Sequence, residues 1–372
     1  MQSTPPVCIL TSQYFGWGKI GGFGSMSRRL AEALAGAGVE TSVIVPRRPG
    51  QPAHETVNGV SVHAFDPLDI VSARRLLKES PAGLFHSQDP TFLTLLAQIT
   101  RRDARHVVTC RDPRDTADWL NEFRHATWGR RLRTPLNWLL EGSPLVRQAV
   151  RRADGVYTPA YFLQDKVRHM YNPRGEVGLL PNLIDIPERM PEKAEQPTFV
   201  SIGRLDRRKR PEIFLDLAKL FPECRFILVG KAESAERERE LRAKYESLPN
   251  LDWVGYIDRF QERDRLDAIL AGSWALINTA SREGLPLTFL EAAGSGCAIV
   301  SFVNPDDFPA RFGVHVADDD FAGALRALLS EPAVIHERGR QARAYVLETY
   351  EAGAALEHHL DAYRTLVDPI AG

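Results

Sequence analysis

The sequence predicts an α/β protein of two domains, each a doubly wound and largely parallel sheet, on three observations. At 372 residues the chain exceeds what one hydrophobic core serves. Its first part opens as strand, Gly-rich turn, helix, strand. The same order recurs at Thr198, after the Pro-rich, charged stretch Pro187 to Pro197. The division expected is residues 1–186 and 187–349, with a C-terminal helical segment, 350–372, returning to the first domain.

In the first domain, Val7 to Thr11 reads as a buried strand, Ser25 to Gly36 as an amphipathic helix and Thr41 to Val45 as the next strand. The turn between the first two carries Lys19, Gly21 and Gly22, where glycines before a helix let the backbone approach a phosphate and Lys19 adds charge. It is not the dinucleotide fingerprint: Gly22-Phe-Gly24-Ser-Met-Ser27 lacks the third glycine, and the second strand ends Val45-Pro46-Arg47 with no acidic residue for a ribose. Strands follow at Val60 to Phe65, Leu84 to Ser87, Val107 to Cys110, Gly155 to Thr158 and Val177 to Leu180. Ligands of such sheets sit beyond the carboxyl ends of the strands. Two polar clusters lie there: His86-Ser-Gln-Asp89 and Arg111-Asp-Pro-Arg-Asp115. His86 reads either as a hydrogen-bonded strand-end histidine or as a substrate contact. Arg111 reads as an anion ligand or as the partner of Asp112 or Asp115.

Seven Arg stand against two Glu between Asn121 and Arg152, with Trp128, Trp138, Leu139 and Leu140 interleaved and Trp119 just before. Such a stretch, 119–152, suits an anionic membrane surface or an acidic acceptor. The alternative, which we favour on sequence, is a helical segment with its apolar face packed and its arginines solvated.

The second domain runs from strand Thr198 to Ile202 through the turn Gly203 to Pro211 into helix Glu212 to Leu220. Five cations in seven residues, Arg204 to Arg210, next to a helix N-terminus make an anion site on electrostatics alone. Strands at Phe226 to Val229, Trp253 to Val254, Trp274 to Asn278 and Ala298 to Phe302 alternate with helices at Ala235 to Ser247 and Arg263 to Leu270. Between the last two strands stands Ser281-Arg-Glu283-Gly284-Leu285-Pro286-Leu287-Thr-Phe-Leu-Glu291, with Pro286 where a helix would begin. Glu283 in that loop and Glu291 on that helix are placed to receive sugar and ribose hydroxyls, while N-terminal N–H groups receive phosphate. A capping Glu and a surface Glu are the plainer alternative. Asp318-Asp-Asp320 precedes helix Phe321 to Leu329 and reads as a cap rather than a metal site.

Composition narrows the class. A net charge of -1 gives no electrostatic case for nucleic acid. No apolar run approaches the roughly 20 residues that span a bilayer, and four scattered cysteines without a CxxC pattern read as buried free thiols of a reducing compartment. A cytoplasmic protein is the expectation, with peripheral contact at the inner membrane face under the membrane reading of 119–152. The histidines show no metal-ligand spacing, so no metal and no resident cofactor are expected.

Taken together, the Gly-rich first turn, Gly203-Arg204-(x)4-Lys209, Val-Gly-Tyr256 and Glu283-(x)7-Glu291 with Gly-Leu-Pro resemble the retaining glycosyltransferases of family 4 on the GT-B fold. The likeness covers nearly the whole chain and is densest from Phe199 to Val303. Lys19-Ile-Gly21-Gly22 is similar to the Lys-x-Gly-Gly turn of glycogen and starch synthases. Pro181-Asn-Leu-Ile-Asp185 resembles the family's Pro-Asn-Gly-Val-Asp with Leu183 in place of Gly. The resemblance implies a nucleotide-sugar donor between two Rossmann-like domains whose parallel sheets face across a cleft. Arg204 and Lys209 would then hold the diphosphate, Glu291 the ribose and Glu283 the transferred sugar. Gly284, Leu285, Pro286 and Leu287 would offer backbone N–H groups, and Gly230, Lys231 and Tyr256 would lie near the base. Many relatives end the strand before Arg111 with a histidine facing the sugar, so Arg111, or His86 in its stead, is the candidate catalytic group of the first domain. The acceptor would be a sugar, a lipid-linked glycan or a small molecule. A GT-B epimerase or phosphorylase, and a non-catalytic nucleotide-sugar-binding protein, are the competing readings.

Overall fold

The computed structural model describes residues 4–14, 22–125 and 134–367. Lys19 and Gly21 of the first turn, and Trp128 of the basic stretch, lie outside them. Two compact units are present. One ends at Leu183 and takes the chain back from Ala352; the other runs from Ile184 to Glu351.

The first unit holds strands β1 (Val7–Leu10), β2 (Thr41–Pro46), β3 (His54–Val57), β4 (Val60–Phe65), β5 (Leu84–Ser87), β6 (Arg105–Thr109), β7 (Gly155–Thr158) and β8 (Val177–Leu179). They form one sheet in the order β3-β4-β2-β1-β5-β6-β7-β8. All neighbours are parallel except β3, which pairs antiparallel with β4. β1 and β5 are short and buried at every residue, as central parallel strands covered on both faces must be. Strand β3 was not foreseen, because His-Glu-Thr-Val is polar and lies at the edge. Its signal was the two-residue turn Asn58-Gly59, both at positive φ, a sequence that closes hairpins. The C-terminal helix Ala352–Val367 places Ala355, Leu360 and Tyr363 in the same core as Val7, Leu30 and Val43.

The second unit holds β9 (Thr198–Ile202), β10 (Arg225–Val229), β11 (Leu251–Gly255), β12 (Ala275–Asn278), β13 (Ala298–Ser301) and β14 (Gly313–His315), all parallel, in the order β11-β10-β9-β12-β13-β14. Phe199, Phe214, Phe226, Ile277 and Val300 centre its core. All four cysteines are buried and free.

Each sheet reverses its strand order once, between β1 and β5 in the first unit and between β9 and β12 in the second. Loops on either side of such a point diverge and leave a crevice beyond the carboxyl ends, which is where open α/β sheets bind ligands.

Candidate functional site

At the reversal point of the second unit, the turn after β9 and the loop after β12 are laced together. Ser281 donates its backbone N–H to the Arg208 carbonyl at 3.0 Å. The Thr279 hydroxyl donates to the carbonyls of Lys209 and Arg210, at 2.7 and 2.9 Å. The turn itself is shaped by buried Asp206, whose carboxylate accepts the Lys209 N–H at 3.1 Å and meets the Arg204 guanidinium at 3.2 Å. Arg210 takes the left-handed conformation at φ 48° just ahead of Pro211, which begins the helix Pro211–Leu220. Its guanidinium is spent on the structure: it reaches Asp319 and the Thr279 carbonyl, each at 2.5 Å, and covers the Phe302 ring. The five cations therefore divide. Arg204 is exposed, whereas Lys209 is brought over Gly203 and ion-paired with Glu283.

Glu283 and Glu291 do not share a helical face. Pro286 caps the helix Leu287–Gly294, so Glu283 sits in an extended loop before it and Glu291 in its second turn. Their partners differ as well. Glu291 has no exposed side-chain surface; its Oε2 is bonded by Arg259, and Oε1 lies 3.6 Å from Arg263 Nη1 with neither atom hydrogen-bonded. Sequence reading missed Arg259 and Arg263. Their signal was the excess of arginine right after β11 and at the start of helix Arg263–Gly272. The N–H groups of Gly284 and Leu285 make no hydrogen bond to a described residue. Pro286, expected to offer an N–H beside them, has none to give.

Gly230 carries a structural duty rather than a contact. At φ 149°, a Cβ there would fall 1.8 Å from the Gly203 carbonyl oxygen, so glycine is what lets β9 and β10 end side by side. Lys231 next to it lies 6.0 Å above the Tyr256 ring, which brings those two candidates together at the same edge.

The reversal point of the first unit is built differently. Gln88, fixed by a 2.8 Å bond from its N–H to the Leu10 carbonyl, and Thr11, bonded to Ser27 at 3.0 Å, mark its two sides. Arg111 does not pair with Asp112 or Asp115. Its Nε donates to Gln88 Oε1 at 2.9 Å, Nη2 donates to the same oxygen and Nη1 to Asn182 Oδ1. Burial pulls the guanidinium pKa down to about 10. The Arg111 backbone N–H donates to Asp89 Oδ1 at 2.9 Å, and desolvation pushes that carboxyl up to about 7, with Asp112 and Glu141 adding to the rise.

His86 is a correction. It is fully buried, with Nδ1 bonded to the Tyr363 hydroxyl at 2.6 Å and Nε2 to the Thr109 hydroxyl at 2.7 Å, so no ring nitrogen remains for a substrate. Burial, then His359 and Arg111, hold its pKa well below the usual histidine value. Gly22 opens the helix Gly22–Gly36 and is exposed.

The basic stretch also departs from the favoured reading. Trp119 is buried and helix Pro144–Arg152 packs Val146, Ala149 and Val150 inward. On helix Thr134–Glu141, however, Trp138, Leu139 and Leu140 are 43%, 70% and 58% exposed, and Leu120, Phe123 and Leu145 are exposed too. A larger groove at the opposite, amino-terminal edge of the first sheet, lined by Glu40, Ser42, Ser61, His63 and Ser80, lies at the end where such sheets do not place ligands.

Residues 21–182 match the model of the glycosyl transferase 4-like domain, and residues 184–344 match that of the glycosyl transferases group 1. Among curated proteins, glycogen synthase of Mycobacterium tuberculosis is 24% identical over 242 residues, covering 59% of this chain and 55% of that protein. A phosphatidylinositol N-acetylglucosaminyltransferase chain of Arabidopsis thaliana is 25% identical over 168 residues, 41% of this chain and 36% of its own length. The chain thus spans about half the length, or less, of the curated relatives it matches. Among solved structures, sucrose-phosphate synthase from Thermosynechococcus elongatus superposes with a TM-score of 0.73 at 18% identity, over 97% of this chain and 99% of that one. Anabaena HepE in complex with UDP-glucose superposes with a TM-score of 0.69 at 13% identity, over 96% and 99%. These likenesses establish the shared fold.

Proposed function

The chain belongs to the GT-B, family 4-like glycosyltransferases, and from that premise we propose that it moves a sugar from a nucleotide-diphosphate donor to an acceptor hydroxyl with retention of anomeric configuration. The observation that carries the reading is Lys209 held over Gly203 and against Glu283 at the reversal point of the second unit. A donor bound there exchanges the carboxylate partner of Lys209 for phosphate and frees Glu283 to accept from sugar hydroxyls. Arg204, exposed one turn away, joins the diphosphate. Cleavage of the glycosyl phosphate bond leaves negative charge on the departing phosphate, and cations fixed in advance stabilise charge where it develops. Gly284 and Leu285 supply N–H groups. The orphaned Glu291 Oε1 and Arg263 Nη1 suit a ribose hydroxyl between them, once Arg259 swings aside. Lys231 and Tyr256 offer a cation and a ring to the base.

No divalent ion is needed in this scheme, since Arg204 and Lys209 neutralise the diphosphate. Turnover in EDTA is the expected outcome, and loss restored by Mg²⁺ or Mn²⁺ would overturn it. The exposed Trp138-Leu139-Leu140 with Arg147, Arg151 and Arg152 supports peripheral attachment to an anionic membrane surface. Among the described residues no helix is long and apolar enough to cross a membrane.

The functional reading is tested by incubating the protein with UDP-, GDP- and ADP-sugars and measuring nucleotide release and the anomer formed. One donor should be consumed with retention. Inversion would overturn the stereochemistry, binding without release would leave a nucleotide-sugar-binding protein, and turnover only with inorganic phosphate would mark a phosphorylase.

A further inference from the structure

Arg111 is a buried cation whose guanidinium has no hydrogen bond to a carboxylate among the described residues. It is 9% exposed, and its hydrogen-bond partners, Gln88 at 0% and Asn182 at 5%, are neutral amides. Among the described residues no carboxylate lies within ion-pair distance of the guanidinium; Asp112 and Glu141 are engaged by Arg114, and Asp115 by Lys166. Asp89 is nearest in charge, but it binds the backbone N–H. A guanidinium carries five N–H donors, of which three are used here. The amide of Gln88 adds a buried Nε2 with no hydrogen-bond partner among the described residues, beside the oxygen that grips Arg111. Removing a charge from water costs several kcal/mol unless something repays it, and an arginine kept only for packing would be matched by a carboxylate. The two amides instead hold the fork in place and leave its charge intact, beyond the carboxyl end of β6, the strand next to the one where this sheet reverses.

We infer that Arg111, oriented by Gln88 and Asn182, forms a subsite for an anionic oxygen group, carboxylate or phosphate, carried by one of the two sugar substrates. Planar bidentate recognition of such groups is what an oriented guanidinium does best. The inference rests on the glycosyl-transfer reading for its substrates, but not for the binding itself. The anion has two sources, a uronic acid donor or a phosphorylated acceptor, and the chemistry at Arg111 is the same for both.

The experiment compares matched pairs: UDP-glucuronate against UDP-glucose as donor, and glucose 6-phosphate against glucose as acceptor. The proteins are wild type, Arg111→Gln, Arg111→Lys and Gln88→Glu. In one arm the wild type should favour the anionic member at least about tenfold in kcat/KM, equivalent to about 1.4 kcal/mol. Arg111→Gln should abolish the ratio and Arg111→Lys keep part of it. Gln88→Glu, nearly isosteric, places the missing counter-charge against Arg111; it should erase the preference while raising Tm, which keeps the test decisive if Arg111→Gln folds poorly. No preference in either arm, or one that survives both Arg111→Gln and Gln88→Glu, overturns the subsite. Saturation-transfer NMR with glucuronate and glucose 6-phosphate separates the two claims. Binding that is lost in Arg111→Gln upholds the subsite even if no donor is turned over, and absence of binding to wild type in a protein that does turn over neutral sugars refutes it alone.

Discussion

The two reversal points solve opposite electrostatic problems. In the second unit the charges proposed to meet phosphate, sugar and ribose each have a partner before any ligand arrives: Lys209 with Glu283, Arg204 with Asp206, and Glu291 with Arg259 and Arg263. In the first unit Arg111 is surrounded by amides, and Asp89 is pushed toward neutrality. A site of paired charges is poised to trade one partner for another, as a diphosphate that must be gripped and released requires. A site with an unbalanced charge waits for the ligand to complete it.

Breaking the paired side should have the largest effect. Lys209→Ala is expected to lower kcat by about 10²–10³, the usual cost of losing one stabiliser of developing charge, with an unchanged circular dichroism spectrum. Wild-type turnover would show that this pair is not where the leaving group sits. Next comes Glu291→Ala, which takes the buried carboxylate from Arg259, while Arg263 keeps Asp267. Removing one partner of a buried pair costs about 3 kcal/mol or more, so denaturant unfolding should shift to lower concentration and nucleotide affinity should fall with it. Arg111→Met is the counterpart on the unpaired side. Replacing the arginine by an apolar chain of similar length removes a buried charge but orphans the Gln88 and Asn182 oxygens; the two effects oppose, and the net change in the stability of the first unit should stay within about 2 kcal/mol. A large loss of stability would make Arg111 structural after all.

The smallest effect sharpens the same contrast through pH. Asp89 has its folded pKa raised from the ordinary carboxylate value to about 7. The native state therefore holds a proton that the unfolded chain releases near pH 4, and the stability this gives is present below that pH and lost as pH rises to about 7. Asp89→Asn should flatten the fall of Tm over that window. His86 and His359, whose folded values are lowered, the latter to about 4, act in the other sense. Their contribution is present above pH 6.5 and lost on acidification, so the difference between wild type and Asp89→Asn, rather than the raw profile, is the quantity to read.

Legibility followed the same divide. The second unit's candidates stood out because they are charged residues at fixed spacings beside strand ends and glycines: Gly203, Arg204, Lys209, Glu283 and Glu291 could all be named from sequence. What that unit hid were the partners Arg259 and Arg263, which come from the loop after β11 and the helix that follows it and have no spacing to betray them. The subsite proposed in the first unit depends on Gln88 and Asn182, amides that are silent in a sequence scan because their meaning lies in what they touch. His86 misled for the same reason, since a strand-end histidine and one sealed by Thr109 and Tyr363 look alike until residues far apart in the chain are brought together. The parallel strands were readable from apolar runs, and β3 was lost to its polarity despite the Asn58-Gly59 turn.

The central claim is that the second unit's reversal point holds the nucleotide diphosphate. Isothermal titration of UDP, GDP and ADP into wild type and into the double variant Arg204→Ala/Lys209→Ala tests it directly. One nucleotide should bind the wild type and bind the double variant at least about a hundredfold more weakly, a loss of about 2.7 kcal/mol. Equal affinity in both proteins would contradict the assignment.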